Sequence, residues 1–293
     1  SNPHPFLDLL LQHREATKLR QIIESLDVAI GADGRAHTTY VQTGSQTGRL
    51  SSTDPNLQNI PIRNEESHRI RAAFEVGTDY ETLLTADYSQ IEMRIMAHLS
   101  GGARVFGVEP ADVTPAMRTK VKAMSYGLVY GLSAFGLSKQ LRIDQSEAKL
   151  LMTEYFARFG AVRDYLRSSV QQARIDGYTE TIFGRRRPFP DLGSPNRVLR
   201  ENAERAALNA PIQGSAADIM KIALFHIHDE LTASGLRSRV LLQIHDELVV
   251  EVAAGEWDAV EKIVRTRMGD AAELSVPLDV QIGRGENWDV AGH

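Results

Sequence analysis

Two carboxylates lie 159 residues apart in this 293-residue chain, and each stands at the end of an apolar, strand-like run. Asp87 follows the run Thr82–Ala86, and Asp246 divides the alternating stretch 240–252. Alternation around a short polar turn is typical of a β-hairpin, with Asp246 near its turn. The residues between the two aspartates have mostly helical patterns. We therefore predict an α+β fold, in which strands from both ends of the chain form a sheet and a helical insertion separates them.

The remaining elements follow from periodicity and from glycine and proline positions. Turns and short strands are predicted for 31–63. Further helices are predicted at 7–26, 146–173, 200–231 and 256–268, a hairpin or extended loop at 177–189, and a closing strand at 278–282. Gly283-Arg284-Gly285 is too short a pattern to indicate a function.

A predicted helix between the two aspartates carries two cations and two aromatic residues at four-residue spacing. Thr114-Pro115 is typical of a helix start, and Gly131 is typical of a helix end. The four side chains share one face, with a rise of about 6 Å from one to the next. They are Arg118, Lys122, Tyr126 and Tyr130. The cationic end lies near the helix N-terminus, which favours phosphate; the alternative is a solvated cationic end above an aromatic core stripe.

Asp87 and Asp246 are the natural pair of metal ligands in this sequence. Hard divalent cations prefer carboxylate oxygens, and two such ions can activate a 3′-hydroxyl and neutralise a triphosphate. Either aspartate alone would ordinarily be a residue of a strand end or turn. Together with the cationic helix, they favour a metal-dependent enzyme that acts on a nucleoside triphosphate.

Composition limits the possible classes less than the motifs do. The net charge of −5 does not predict a nucleic-acid binder, so any phosphate-binding charge must be local. Arg118, Lys120 and Lys122 form one cationic cluster and Arg185–Arg187 another, although either is ordinarily a solvated face. The absence of cysteine excludes disulfides and thiolate metal sites. The longest apolar runs are too short to span a bilayer, and no signal peptide is evident.

Taken in order, these motifs resemble those of family A DNA polymerases, the bacterial DNA polymerase I type. The family signature R-x₃-K-x₃-[FY]-x₃-Y-G matches at all five positions between Arg118 and Gly131. D-Y-S-Q-I-E begins at Asp87, and T-G-R-L-S-S begins at Thr47. The similarity runs from about Phe6 to Trp288.

The resemblance implies a right-hand architecture with an antiparallel-sheet palm, a helical fingers insertion and a thumb that is largely missing. The expected divisions are a thumb-base helix remnant at 1–30, palm at 31–100, fingers at 101–198 and a second palm segment at 199–293. The family normally has further helical turns between Leu99 and Arg104, where this chain has Gly101-Gly102. We therefore expect a trimmed chain that grips duplex DNA weakly and adds few nucleotides per encounter.

The resemblance also assigns roles to individual residues. The catalytic residues are expected to be Asp87, Asp246 and Lys122. The expected metal ligands are Asp87, the backbone carbonyl of Tyr88, and Asp246, with Glu247 as a further candidate. The nucleotide-binding set comprises Arg118, Lys122, Tyr126, Tyr130, Glu92, Gln90 and His245. The DNA-binding set comprises Arg49, Asn56, Arg205, Asn209, Gln213 and His245.

Glu92 has two interpretations that are compatible with each other. Ser89-x-x-Glu92 is a capping-box pattern, in which Glu92 reaches back to the backbone at the helix start. The resemblance instead places Glu92 near the sugar 2′ position, where it excludes ribonucleotides.

The resulting interpretation is a template-directed DNA polymerase that uses two Mg²⁺ ions, with Mn²⁺ as a substitute. Its expected partners are primer–template DNA and dNTPs. A cytoplasmic, nucleoid-associated monomer without membrane contact is expected. One alternative is a catalytically impaired fragment that only binds nucleotide or nucleic acid. A single-subunit RNA polymerase is disfavoured by Glu92 and Tyr126.

Overall fold

A computed structural model describes residues 4–60, 65–101, 127 and 133–292 of the chain. Its helices are α1 (Pro5–Val28), α2 (Glu65–Ala72), α3 (Ile91–Leu99), α4 (Ala134–Leu141), α5 (Gln145–Arg158), α6 (Gly160–Asp176), α7 (Arg197–Ala233), α8 (Trp257–Gly269) and α9 (Trp288–Ala291). Its strands are β1 (Thr39–Val41), β2 (Ser51–Thr53), β3 (Thr82–Tyr88), β4 (Tyr178–Glu180), β5 (Arg186–Pro188), β6 (Arg239–Ile244), β7 (Glu247–Val252) and β8 (Val280–Gly285). A 3₁₀ turn spans Pro190–Gly193.

The main sheet has four antiparallel strands in the order β6-β7-β3-β8. Strand β3 comes from the first third of the chain and pairs on both sides with strands from the last fifth. This confirms the predicted α+β class, in which strands distant in sequence meet in one sheet. Two-stranded pairs β1-β2 and β4-β5 lie outside the main sheet.

Both faces of the main sheet are covered, so its strands are largely apolar on both sides. On one face, Leu84 and Ala86 belong to a large core that also contains residues of α3, α7 and α8. On the other face, Leu83 and Val249 pack with Trp288 of α9 in a smaller core. Such a sheet gives Asp87 and Asp246 a rigid support.

Within the described residues, the predicted elements are present with small shifts of their ends. The closing strand begins and ends later than predicted, at Val280–Gly285 rather than 278–282. The predicted helix at 146–173 is two helices that meet at Phe159. Helix α1 presents Leu19, Ile22 and Leu26 to the smaller core, while its N-terminal leucines are exposed.

Gly283 and Gly285 have a packing role that their short pattern did not reveal. A Cβ atom on Gly283 would overlap the carbonyl oxygen of Ala291, and one on Gly285 would overlap the backbone nitrogen of Ala291. The two glycines therefore let α9 lie directly on β8. No helix in the described part of the chain combines the length and apolar character needed to cross a membrane.

Candidate active site

The two predicted metal ligands lie where β3 ends and the β6-β7 hairpin turns. Asp87 pairs with Glu247 on β7 and with Gln281 on β8. The next backbone N–H, that of Tyr88, donates to the carbonyl oxygen of Asp246 at 3.2 Å. Both aspartates are half-buried. Sheet pairing thus brings together two carboxylates that are far apart in the sequence.

The main chain around Asp87 is fixed by its neighbour on the opposite face. Tyr88 is 1% exposed, and its hydroxyl donates to the carbonyl oxygen of Met268 at 2.8 Å. Burial raises the pKa of Tyr88 well above its ordinary value, so the hydroxyl remains a donor at neutral pH. The backbone carbonyl of Tyr88, a predicted metal ligand, is therefore part of a rigid strand end.

A buried glutamine supports the hairpin turn, and no sequence motif marks it. Gln243 donates from its side chain to the carbonyl oxygen of His245 at 2.6 Å. Its backbone exchanges two hydrogen bonds with the hydroxyl of Tyr40, and its carbonyl oxygen also accepts from Gln58. These contacts join the hairpin to the β1 region. Because the partners lie 185 and 203 residues apart in the chain, no local sequence pattern predicts these contacts.

Glu92 forms an ion pair with Arg49, not a capping box. Helix α3 begins at Ile91, and its N-cap is Gln90 in the left-handed region (φ 54°, ψ 46°), with no capping side chain among the described residues. The nearly buried carboxylate of Glu92 accepts from Arg49 Nη2 at 2.9 Å. The capping-box interpretation is therefore wrong, because the chain turns one residue later than that pattern requires. A predicted DNA contact and a predicted nucleotide contact are instead adjacent.

His245 lies in the two-residue turn between β6 and β7, with φ +54°. Although it remains accessible to solvent, partial burial lowers the pKa of His245, the charge of Arg49 lowers it further, and Asp246 opposes both. The imidazole is therefore neutral at pH 7. The turn places His245 next to Asp246 and within electrostatic reach of Arg49.

Glu247 is held on the smaller-core side of the sheet. Its Oε1 accepts a 3.0 Å hydrogen bond from the indole nitrogen of Trp288. The guanidinium of Arg71 lies 4.3 Å from the centre of the same indole ring. Burial lowers the pKa of Arg71, while Glu247 and Asp289 raise it. Glu247 is thus an anchored carboxylate beside Asp87.

The predicted DNA contacts on α7 lie at four-residue spacing along one face of that helix. Arg205 is exposed, whereas Asn209 and Gln213 are partly buried. The side-chain carbonyl oxygen of Asn209 is buried and has no hydrogen-bond partner in the described part of the chain. Asn56 is exposed, and its side-chain Oδ1 accepts a hydrogen bond from the backbone N–H of Gln58. The α7 face and Asn56 remain predictions.

Part of the predicted site cannot be placed. Arg118, Lys122, Tyr126 and Tyr130 lie outside the described residues, as do Thr114-Pro115 and Gly131.

The donor set at the sheet end is compatible with Mg²⁺. Among the described residues, no group of three or more His, Cys, Asp or Glu side chains is placed to hold a metal ion. Mg²⁺ does not require such a cage, since it binds through one or two carboxylates together with water and substrate phosphates. Asp87, Asp246 and the carbonyl of Tyr88 supply oxygen donors of this kind.

Comparison with known proteins gives the class of this fold and site. The model of DNA polymerase family A matches residues 1–105 and 101–290, and the chain belongs to that family. Members generally use divalent metal ions. The two matched segments meet at 101–105, where Gly101-Gly102 lies.

The relatives with curated names are bacterial DNA polymerases I. The chain is 57% identical over 308 residues to DNA polymerase I of Mycobacterium tuberculosis, covering 99% of this chain and 34% of that protein. It is 45% identical to DNA polymerase I of Streptococcus pneumoniae serotype 4, covering 97% of this chain and 35% of that protein. The chain thus spans about a third of the length of these relatives.

A solved structure is similar over the same extent. It is the POL domain of Pol1 from M. smegmatis in complex with DNA primer-template and dNTP. The TM-score is 0.93 at 56% identity, with coverage of 99% of this chain and 54% of that chain.

Proposed function

We propose that this chain is a DNA-directed DNA polymerase core, which adds deoxynucleotides to a primer 3′-hydroxyl and releases pyrophosphate. The observation that carries the proposal is the meeting of the β3 end with the β6-β7 turn, beside the Arg49–Glu92 pair. The high identity to bacterial DNA polymerases I supports it.

The sheet end would hold the metal. Asp87, the Tyr88 carbonyl and Asp246 would bind two Mg²⁺ ions, or Mn²⁺ in their place, with Glu247 as a further candidate ligand. When bound, the ions would supply charge neutralisation at the attacking and leaving oxygens. The neutral His245 would contact the primer terminus without adding positive charge.

The nucleotide would lie between the sheet end and the predicted helix. Arg118 and Lys122 would neutralise the triphosphate, with Lys122 also acting on the leaving group. Tyr126 would pack on sugar and base, and Tyr130 would stack at the insertion site. Gln90, at the left-handed N-cap of α3, would be a further nucleotide contact.

Sugar selection is assigned to Glu92. Its carboxylate is nearly buried and fixed by Arg49, so it cannot readily move aside for a 2′-hydroxyl.

Duplex binding is assigned to the polar residues on either side of this site. Donors in the minor groove meet acceptors that every base pair presents, which suits copying without sequence preference. The residues assigned to this contact are Arg49, Asn56, Arg205, Asn209, Gln213 and His245. The corresponding protein would be a monomer, located in the cytoplasm and associated with the nucleoid.

Primer extension at low salt with excess protein tests the proposal. Asp87→Asn and Asp246→Asn are each expected to reduce extension by orders of magnitude and to leave thermal unfolding without metal nearly unchanged. Asp279→Asn is the matched control, because Asp279 is adjacent but its side chain is 63% exposed.

Three results would contradict the assignment. An aspartate whose Asn variant retains normal turnover is not part of the site. If the parent chain binds primer–template and dNTP without extending the primer, the chain is a binding fragment. Extension with NTPs in preference to dNTPs would instead favour an RNA polymerase.

A further inference from the structure

The turn Thr47–Arg49 carries the arginine that holds Glu92. Gly48 has φ +83°, and its backbone N–H donates to the carbonyl oxygen of Ser45 at 3.1 Å. The hydroxyls of Ser45 and Thr47 lie 2.7 Å apart. A displacement of this turn would move Arg49, because only one peptide unit separates it from Gly48.

One guanidinium from another part of the chain fixes this turn. Arg185 lies just before β5, 138 residues after Thr47. Its Nη2 donates to the carbonyl oxygens of Thr47 at 2.8 Å and Gly214 at 3.0 Å. Its Nε donates to Asp218 Oδ1 at 2.8 Å. The turn is thereby tied to helix α7.

Two glycines provide the space for this guanidinium. A Cβ atom on Gly48 would lie 2.5 Å from Arg185 Cζ. A Cβ atom on Gly214 would lie 2.9 Å from Arg185 Nη2 and 2.7 Å from Thr181 Cγ2. Such separations are shorter than real Cβ atoms tolerate. The glycines on both sides therefore indicate that the backbones are packed around Arg185.

The neighbouring arginines show that only one side of the β4-β5 hairpin faces the segment that contains the turn. Arg187 donates to Gln46 Oε1 at 2.7 Å, so it reaches the residue just before the turn. Burial lowers the pKa of Arg187, and the charge of Arg185 lowers it further. Arg186, between them, points to the opposite side of β5 and pairs with Glu180 at 2.9 Å.

We propose that Arg185 is a positioning residue for the Arg49–Glu92 pair and that it thereby sets discrimination between deoxyribose and ribose. The inference rests on the function proposed above for Glu92. Without Arg185, the Thr47–Arg49 turn can shift, and Arg49 no longer holds the Glu92 carboxylate in a fixed position. Selectivity at the sugar depends on a well-held carboxylate, since small displacements at a binding site cost selectivity.

The test compares Arg185→Ala and Arg185→Lys with the control Arg186→Ala. Lysine retains the charge but lacks the planar fork that contacts several acceptors at once. Gly48→Ala is a second perturbation: its Cβ displaces the guanidinium, and the φ of +83° also strains the turn itself. Hydrogen exchange of the 45–49 segment reports the turn. The ratio of dATP to ATP affinity, measured on a dideoxy-terminated primer–template, reports sugar selection without turnover.

We expect Arg185→Ala to increase exchange in 45–49 and to lower the dATP-to-ATP affinity ratio by about tenfold. Arg185→Lys and Gly48→Ala should give smaller changes in the same directions, and Arg186→Ala should match the parent. If Arg185→Ala does not fold, Arg185→Lys decides the question.

Unchanged exchange in the folded Arg185 variants would overturn the proposal. Increased exchange with an affinity ratio equal to that of Arg186→Ala would also overturn it, because Arg185 would then be only structural. A parent chain that binds dATP selectively but fails to extend primers would refute the polymerase assignment and leave this inference standing.

Discussion

Glu251 is a fully buried carboxylate whose replacement by glutamine should reduce stability and leave catalysis intact. Its side chain is 0% exposed and accepts from Arg35 at 3.1 and 3.2 Å and from Arg239 at 3.1 and 3.0 Å. The backbone N–H of Gly77 donates to it at 2.7 Å. Glu251→Gln keeps the size of the side chain, but it removes the charge and turns an amide NH₂ toward a donor.

The size of the effect follows from burial on each side of the cluster. Breaking a fully buried ion pair costs about 3–5 kcal/mol, because a charge remains without a partner. Here the side chains of Arg35 and Arg239 are 33% and 51% exposed, so both can recover hydration. The loss should therefore lie at the lower end, about 3 kcal/mol in the free energy of unfolding.

Urea denaturation followed by circular dichroism measures this loss, and primer extension per folded molecule measures function. Glu251 is four residues along β7 from Glu247, or about 14 Å, so the active site should be unaffected. Glu201→Gln is the control, since Glu201 is 43% exposed in its pair with Arg197 and its replacement should leave the free energy of unfolding nearly unchanged. A loss below about 1 kcal/mol for Glu251→Gln, or reduced extension by the folded variant, would refute this reasoning.

Two further substitutions test packing and pH dependence. Gly283→Ala should lower the free energy of unfolding by more than about 2 kcal/mol, because its Cβ would overlap the Ala291 carbonyl. Gly269→Ala is the control, since no described atom lies within 4 Å of the added Cβ. Equal melting temperatures of the two variants would contradict the overlap. The second substitution is at Glu256. Desolvation raises the pKa of this carboxyl, but hydrogen bonds from the Ser238 hydroxyl and nearby backbone N–H groups outweigh it and lower the pKa below 4.5. The stability from these bonds is present above that value and is lost as the pH falls through the lowered pKa. Glu256→Gln should therefore weaken the pH dependence of unfolding between about pH 6 and pH 3, and an unchanged dependence would exclude Glu256 as a source.

The parts of the fold that the sequence predicted correctly are those specified by nearby residues. The β6-β7 hairpin follows from alternation on both sides of a polar turn, and the structure places its turn at His245-Asp246. The β3 strand follows from one apolar run, although it continues to Tyr88. Helix ends moved by a few residues because fraying and capping depend on tertiary contacts.

The capping box shows how a correct local pattern loses to a distant contact. Ser89 and Glu92 have the required spacing, yet the left-handed Gln90 starts the helix one residue later. Glu92 then meets Arg49, which is 43 residues earlier in the chain. A charge-assisted hydrogen bond in a nearly buried site outweighs an exposed capping bond. Sequence spacing alone does not reveal which partner a carboxylate will have.

The three arginines at 185–187 show why a supporting residue leaves no motif, unlike the residues predicted to carry the chemistry. As a run of like charges they are ordinarily a solvated face. In the fold, Arg185 contacts α7 and the Thr47 turn, Arg186 pairs with Glu180, and Arg187 reaches Gln46. Strand alternation sends neighbouring residues to opposite sides, so one run serves two surfaces. Metal-binding and nucleotide-binding residues leave short motifs because their chemistry fixes residue type and spacing. A residue that holds such a motif in place needs only to reach it through the fold, so its position follows from tertiary contacts and no local spacing marks it.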